Sequence, residues 1–311
     1  MISLVFTSFN GAETLPLMLN SLAKLTPPRN GWKIIAVNNA STDETNKVLT
    51  EFIDKLPLTI LFEAKPGKNK ALNCAIPYFE GEHIVFTDDD VIPNPDWLIN
   101  YEIAATKNQQ YSVFAGQVRH HWLSPPPKWL IQLAAEGRAY AGTPLDLPEG
   151  DIDWKEIKGP NLMVKSNIFE NVIFSPDIGP DGTSTYVAGS ETEFLKRLHH
   201  MHHQMLFVPE AIVKHIVRSK QNKLSTILKR YFRIGKGAER LMPTQYEAKI
   251  PTIFGFPRYW VKQLLKGLFQ SVRYFIIGNS YQAVSLLISI ATESGRKFEW
   301  REKRKKLVKF N

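Results

Sequence analysis

From the first residue to about residue 120, short apolar runs alternate with stretches in which apolar residues recur every third or fourth position. The runs Ile2–Phe6, Lys33–Val37, Leu58–Phe62, His83–Thr87 and Tyr111–Gln117 have the length of strands, while Leu15, Met18, Leu19, Leu22 and Leu25 share one helical face. Ser41-Thr42-Asp43-Glu44 has capping-box spacing and predicts a helix running to about Lys55. Another helix is expected from about Asn69 to Tyr78, and Asn94-Pro95 predicts a cap with proline at the first helical position. This alternation predicts an α/β fold, a mostly parallel central sheet flanked by helices. In such sheets ligands bind beyond the carboxyl ends of the strands.

After residue 120 the pattern loosens around Trp122, Pro125 to Pro127, Trp129 and Trp154. A short helix is expected at Glu191–His199, then strands at Met205–Val208 and Ala211–His215. The last third reads as helices at Leu224–Gly235, Arg258–Ile276 and Tyr281–Glu293, with Arg and Lys beside aromatics and leucines. That mixture suits either an amphipathic surface against a membrane or packing onto the main domain.

Composition narrows the classes. The 311 residues are 43% hydrophobic and 22% charged, an ordinary globular balance. A single cysteine, Cys74, excludes an intramolecular disulfide and fits a reducing compartment; its apolar helical setting reads as core. Met1–Phe6 reads as a strand and not a leader, and the most apolar late stretch, Tyr274–Ala291, is interrupted by Asn279, Ser280 and Gln282. A cytoplasmic protein is therefore expected, soluble or peripheral on the inner face of the membrane. The net charge is +9, and the residues from Arg296 onward carry eight Lys/Arg against two Glu, a net +6. Such a tail suits anionic phospholipid or simply a solvated terminus. No nucleic-acid module accompanies it, so no nucleic-acid partner is expected. The run His199, His200, His202 and His203, like His120 and His121, has no carboxylate or cysteine spaced to complete a metal site.

Three polar clusters fall where strands end: Thr7-Ser8-Phe9-Asn10-Gly11, Asn38 to Asp43, and Asp88-Asp89-Asp90. Adjacent carboxylates repel one another, and a plain turn does not require three. A divalent cation removes the repulsion, and hard cations such as Mg2+ and Mn2+ prefer carboxylate and diphosphate oxygens. Alternate residues of an extended segment point the same way, so Asp88 and Asp90 can face one site. A dinucleotide-dependent dehydrogenase would need a Gly-x-Gly-x-x-Gly turn after the first strand, where this chain has one glycine.

In this order, the motifs resemble those of family 2 glycosyltransferases, enzymes with the GT-A fold, from Ile2 to about Gly237. The opening Leu4 to Asn10 is similar to the family's first strand and nucleotide-contacting turn, with Thr7 where proline is usual. Val37 to Asp43 resembles the second-strand motif, with Asn38 where an aspartate commonly contacts the uracil ring, and Lys65 to Asn73 resembles the segment beside the donor. The resemblance implies that Thr7, Phe9, Asn10, Asn38, Lys68, Asn73, Asp88 and Asp89 bind a nucleotide-sugar donor. It further implies that Asp88, Asp90 and His215 hold a divalent cation, Mn2+ or Mg2+, the histidine following Val208-Pro209-Glu210-Ala211 as in the family. Gly189-Ser190-Glu191-Thr192-Glu193-Phe194 resembles the base-bearing segment, with Ser190 in place of the first acid and Glu191 in place of aspartate. Glu191 is then the general base and Glu193 the fallback. Asn161, in Gly159 to Met163, lies on the acceptor side, as Trp122 would if it stacks on a sugar ring. Arg230 and Arg233 match a basic helix that approaches the diphosphate.

The expected activity is inverting transfer from a UDP-sugar to a hydroxyl of a glycan or lipid-linked acceptor in cell-surface polysaccharide synthesis. The expected division is a catalytic domain at 1–220, with a donor half at 1–120 and an acceptor half at 121–220, then a helical region with a basic tail at 221–311. Two other classes stay open at this point. One is a non-catalytic membrane- or glycan-associated relative. The other is a nucleotidyltransferase, which normally carries a glycine- and arginine-rich loop absent after this first strand.

Overall fold

The computed structural model describes residues 1–183, 185–244 and 250–308, with side chains to 304. The elements are β1 (Ile2–Ser8), α1 (Leu15–Leu22), β2 (Trp32–Asn38), α2 (Thr45–Thr50), β3 (Leu58–Phe62), α3 (Lys68–Ala75), β4 (His83–Asp88), β5 (Val91–Pro93), α4 (Trp97–Lys107), β6 (Val113–Trp122), α5 (Lys128–Ala135), β7 (Gly150–Asp151), β8 (Leu162–Lys165), α6 (Ser190–His200), β9 (Met205–Val217), α7 (Leu224–Leu241), β10 (Thr252–Ile253), β11 (Phe256–Pro257), α8 (Arg258–Ile276) and α9 (Ser280–Val308). Two compact units emerge: 1–123, 134–183 and 190–217 form the first, and 124–133, 184–189 and 218–311 the second.

The first unit is built on one curled sheet in the order β3-β2-β1-β4-β8-β6-β9-β5, with β7 also on β9. Its β3-β2-β1-β4 half is parallel, as the alternation predicts, while β8, β5 and β7 run antiparallel to their neighbours and make the whole sheet mixed. Successive strand residues point to opposite faces. On β1, Leu4 and Phe6 pack with Leu15, Met18, Leu19 and Trp97, while Val5 packs with Leu72, Phe86, Phe174 and Phe194. Both faces are covered, which is why the central strands read as continuous apolar runs.

Several local expectations are corrected. Helix α2 starts at Thr45, not after Ser41, and ends at Thr50. Its entry is made by Asp43, whose carboxylate accepts from the Thr45 amide at 3.0 Å and from the Ala12 amide at 3.1 Å. Those bonds outweigh the cost of partial burial and hold the Asp43 carboxyl below its ordinary pKa. Asn94-Pro95 forms a turn ahead of α4, in which the Trp97 amide donates to the Asn94 carbonyl at 3.1 Å. The two strands expected around His215 are one, β9. Its ladder with β6 shifts register between Gly116 and Gln117, opposite Pro209-Glu210-Ala211, and proline has no N–H to contribute there. Strand β5 has three residues, too few to leave a pattern. Cys74 is half-buried and is not part of the core.

In the second unit α9 packs against both α7 and α8. A Cβ on Gly235 would strike the Thr292 carbonyl and one on Gly295 the Phe232 carbonyl, so glycine lets the α7 and α9 backbones touch. The basic stretch after Arg296 continues α9 to Val308 and is not a loose tail over the described residues. Lys297 is buried, and Arg296 lies 3.5 Å from the buried Glu239. Arg301, Lys303 and Arg304 are half-buried, and the basic side chains from residue 305 lie outside the described residues. Among the described residues no helix is long and apolar enough to cross a membrane.

Candidate active site

Strand register brings the three polar clusters to one edge: Thr7 sits beside Val37 on one side and Asp88 on the other, and Ser8 beside Asn38. The loops are tied together by side chains. Asn10, in the left-handed region at φ 55°, accepts from the Thr42 amide at 2.8 Å, and its own amide donates to the Ser41 hydroxyl at 3.0 Å. Asn38 is buried; its carbonyl accepts from the Ser41 amide at 3.1 Å and its amide faces Asn46. Both residues therefore shape the turns that follow β1 and β2. Phe9 is exposed at this edge and Thr7 is half-buried. The neighbouring Asn39 was not singled out by sequence. Its amide donates to the carbonyls of Glu63 and Lys65, and its oxygen accepts from the Gly67 amide at 2.8 Å. That clamp fixes the loop that delivers Lys68 to the start of α3.

The carboxylates diverge as the alternation predicts. Asp88, Asp90 and His215 each offer one ligand atom, all within 4.8 Å of one another. The short β5–β9 ladder causes this: Val91 lies opposite His215, and the Ile216 amide donates to the Asp90 carbonyl at 2.7 Å. His215 Nε2 lies 3.4 Å from Asp90 Oδ1, and its ring stacks on Tyr140, itself at φ 43°. Two carboxylate oxygens and one imidazole nitrogen form a donor set that fits Mn2+ or Mg2+. Asp89 points elsewhere and accepts from the Ser8 hydroxyl at 2.5 Å, which ties the aspartate turn to β1.

Glu191 stands in the first turn of α6, where the helix dipole favours an anion. A Cβ on Gly159 would strike its carboxylate, so that glycine makes room for it. Lys68 joins the two acid groups: Nζ lies 2.5 Å from Asp88 Oδ1 and 2.5 Å from Glu191 Oε1. Burial pulls the Lys68 ammonium toward a lower pKa, but the two facing carboxylates outweigh it and hold the pKa well above the ordinary lysine range. Ser190, where the family has an acid, is buried and donates to the Asn69 side-chain oxygen.

The other residues expected at the site have different employment. Asn161 is fully buried: its oxygen accepts from Trp97 Nε1 at 2.8 Å and Tyr101 at 2.7 Å, and its amide donates to the carbonyls of Gln117 and Ala211. With every side-chain position used, it is a knot in the sheet and has nothing left for an acceptor. Asn73 makes a reciprocal pair with the Phe174 backbone, at 2.8 and 2.9 Å, and so positions the 174 segment. Glu193 grips Arg197 with both oxygens, at 2.8 and 2.9 Å. Trp122 stacks on His120 at the end of β6. His120 itself contacts the Ala139 carbonyl through Nε2, and burial lowers its pKa. Arg230 and Arg233 lie on α7 in the second unit, where the Arg233 guanidinium sits 4.6 Å from the centre of the Tyr186 ring.

Comparison with known proteins completes the picture. The chain is 25% identical over 239 residues to glycosyltransferase AglE of Haloferax volcanii, covering 76% of this chain and 72% of AglE. It is 31% identical over 98 residues to the poly(ribitol-phosphate) beta-N-acetylglucosaminyltransferase TarS of Staphylococcus aureus, 31% of this chain and 17% of TarS. Among solved structures, the mannosyltransferase PcManGT of Pyrobaculum calidifontis, in complex with GDP-Man and Mn2+, superposes with a TM-score of 0.58 at 16% identity, over 94% of this chain and 86% of that one. S. aureus TarS 1–349 with UDP-GlcNAc gives 0.55 at 14% identity, over 97% and 91%. The fold is thus GT-A. The family model described as Glycosyl transferase family 2 matches residues 3–170, more than half the chain, so this protein belongs to that family and is a glycosyltransferase.

Proposed function

We propose that the protein transfers a sugar, with inversion, from a UDP-sugar to a hydroxyl of a cell-surface glycan or its lipid-linked precursor, using a divalent cation held by Asp88, Asp90 and His215. The observation that carries this reading is the meeting of two acid groups across one lysine: the cation ligands on one side and Glu191 on the other, both bound to Lys68 Nζ. Sugar transfer breaks the bond between the anomeric carbon and a diphosphate oxygen, and negative charge builds on that oxygen. A bound cation supplies charge stabilisation there. Glu191 accepts the proton of the acceptor hydroxyl as its oxygen attacks the anomeric carbon from the opposite face, which inverts that centre. Lys68 holds the Glu191 carboxylate in line with the donor side, and its positive charge faces the same diphosphate. Asn10, Asn38 and Asn39 fix the loops around the nucleotide.

The acceptor class is supported by the relatives' names, which include TarS and an Escherichia coli glucosyltransferase acting on a diphosphoundecaprenol-linked sugar. The donor base is supported by the TarS complex with UDP-GlcNAc. A panel of UDP- and GDP-sugars, scanned for thermal stabilisation with and without Mn2+, tests the reading. Ligand at about 100 times its Kd adds about 2.7 kcal/mol to stability. One UDP-sugar is expected to raise the melting point only with the metal, and the product's anomeric configuration, read by NMR, is expected to be opposite to the donor's. A retained configuration, or no response to any nucleotide sugar, overturns it.

A further inference from the structure

We propose that α8 docks the protein on an anionic lipid surface, lying flat with one apolar stripe in the bilayer interface. This inference does not rest on the catalytic reading; it comes from the second unit alone. Helix α8 has nineteen residues and contains Arg258, Lys262, Lys266 and Arg273 but no Asp or Glu. One face is already used: Trp260, Gly267 and Ser271 are buried, the Ser271 hydroxyl donates to the Ala283 carbonyl of α9 at 3.1 Å, and a Cβ on Gly267 would meet the Ile290 side chain.

The opposite face is apolar and open. Leu265 is 63% exposed, Phe269 73%, Val272 57% and Ile276 79%. Their spacing of four, three and four residues puts them on one line along the helix. Leu268 and Phe275, also exposed, widen the stripe to about 120° of the helix circumference. Lys262, Lys266 and Arg273 occupy the adjoining arc, roughly the next 60°, and Arg258 starts the helix on the line of the stripe itself. The β10–β11 hairpin runs directly into α8, and its tip carries Phe254, 89% exposed at φ 50°. Apolar side chains of this number leave on the order of 500 Å2 uncovered, a patch size that marks an interaction surface.

Charge selects the occupant. An apolar stripe edged on one side by cations, on a helix without acids, matches an interface that is apolar inside and negative at its surface. Two copies of the chain joined through this face would bring the same four cations toward one another, which costs free energy instead of gaining it. The helix is not apolar enough to cross a bilayer, so it lies in the interface. In the basic stretch at the end of α9, Lys297 is buried and Arg296 is paired, whereas α8 presents its cations beside an open apolar face.

Flotation of the full chain with phosphatidylcholine vesicles, with and without a third of phosphatidylglycerol, tests this. Wild-type protein is expected to float with the anionic vesicles and to be released by high salt. The double variant Phe269→Glu/Ile276→Glu and the charge-reversed Lys262→Glu/Lys266→Glu are each expected to lose at least tenfold in lipid binding while keeping the wild-type circular dichroism and melting point. Wild-type binding to neither vesicle, or variants that float as wild type does, overturns the proposal. A wild-type dimer that Phe269→Glu/Ile276→Glu converts to monomer, with vesicle binding unchanged, would instead assign the stripe to self-association and overturn it as well.

Discussion

The sheet edge and α8 break the usual rule of burial in opposite directions. At the edge, polar side chains are inside: Asn161, Asn69, Asn39 and Asn38 are all buried, and each is bonded to backbone or to another side chain. On α8 a line of apolar side chains, Leu265, Phe269, Val272 and Ile276, is outside, each more than half exposed among the described residues. Both arrangements are costly in a protein chosen for stability alone. The first is compensated within the fold, because each buried amide finds its partners. The second has no internal compensation, so its partner has to come from outside. A buried polar network and an exposed apolar stripe thus signal different things, a rigid framework in one case and a docking face in the other.

This contrast can be broken by substitution. The largest effect is expected at the reacting group: Glu191→Gln should lower kcat by about 10²- to 10⁴-fold, the span typical of a lost general base, with donor affinity retained. Single-turnover transfer together with nucleotide binding checks it. Next comes the framework. Asn161→Leu leaves two side-chain donors and two carbonyls of the sheet without partners, so denaturant unfolding should show a loss of at least about 3 kcal/mol, since each unsatisfied buried group costs about 1–3 kcal/mol. By contrast Phe269→Glu/Ile276→Glu should change stability by less than about 1 kcal/mol, because those side chains are mostly exposed. Equal losses from the two substitutions would erase the distinction.

The smallest expected effect is a pH dependence at His83, on the far end of β4 from the site. Burial lowers its pKa below the ordinary 6.5, and its Nε2 is enclosed without a hydrogen-bond partner among the described residues. The folded state therefore prefers the neutral ring. The stability this confers is present above about pH 6.5 and is lost as pH falls through the lower folded-state value. His83→Gln should flatten that part of the stability profile, measured by thermal unfolding between mildly acid and neutral buffers.

How much of this was legible in the sequence depended on distance along the chain. Strands β1 to β4 and helix α8 could be read because their signals are local and periodic; the bounds Arg258–Ile276 coincide with the expected ones. The aspartate turn was legible because three adjacent like charges need a reason. Strand β5 was not, since three residues carry no period, and β9 looked like two strands because Pro209 interrupts the ladder and not the chain. The asparagines were hardest. Asn161 looks the same in sequence whether it faces a sugar or a core, and its partners Trp97 and Tyr101 lie 64 and 60 positions away. Lys68 could be placed beside the donor, but its grip on both Asp88 and Glu191 needs three segments to be brought together by the fold.

Whether Asp88, Asp90 and His215 form a cation site distinct from the base is best decided by Mn2+ binding, followed by electron paramagnetic resonance in the presence of UDP. The wild-type chain and Glu191→Gln should bind one Mn2+ with similar affinity, while Asp90→Asn and His215→Ala should each weaken binding at least tenfold without a change in fold. Unaltered Mn2+ affinity in Asp90→Asn would contradict the metal site, and with it the division of labour between the two sides of Lys68.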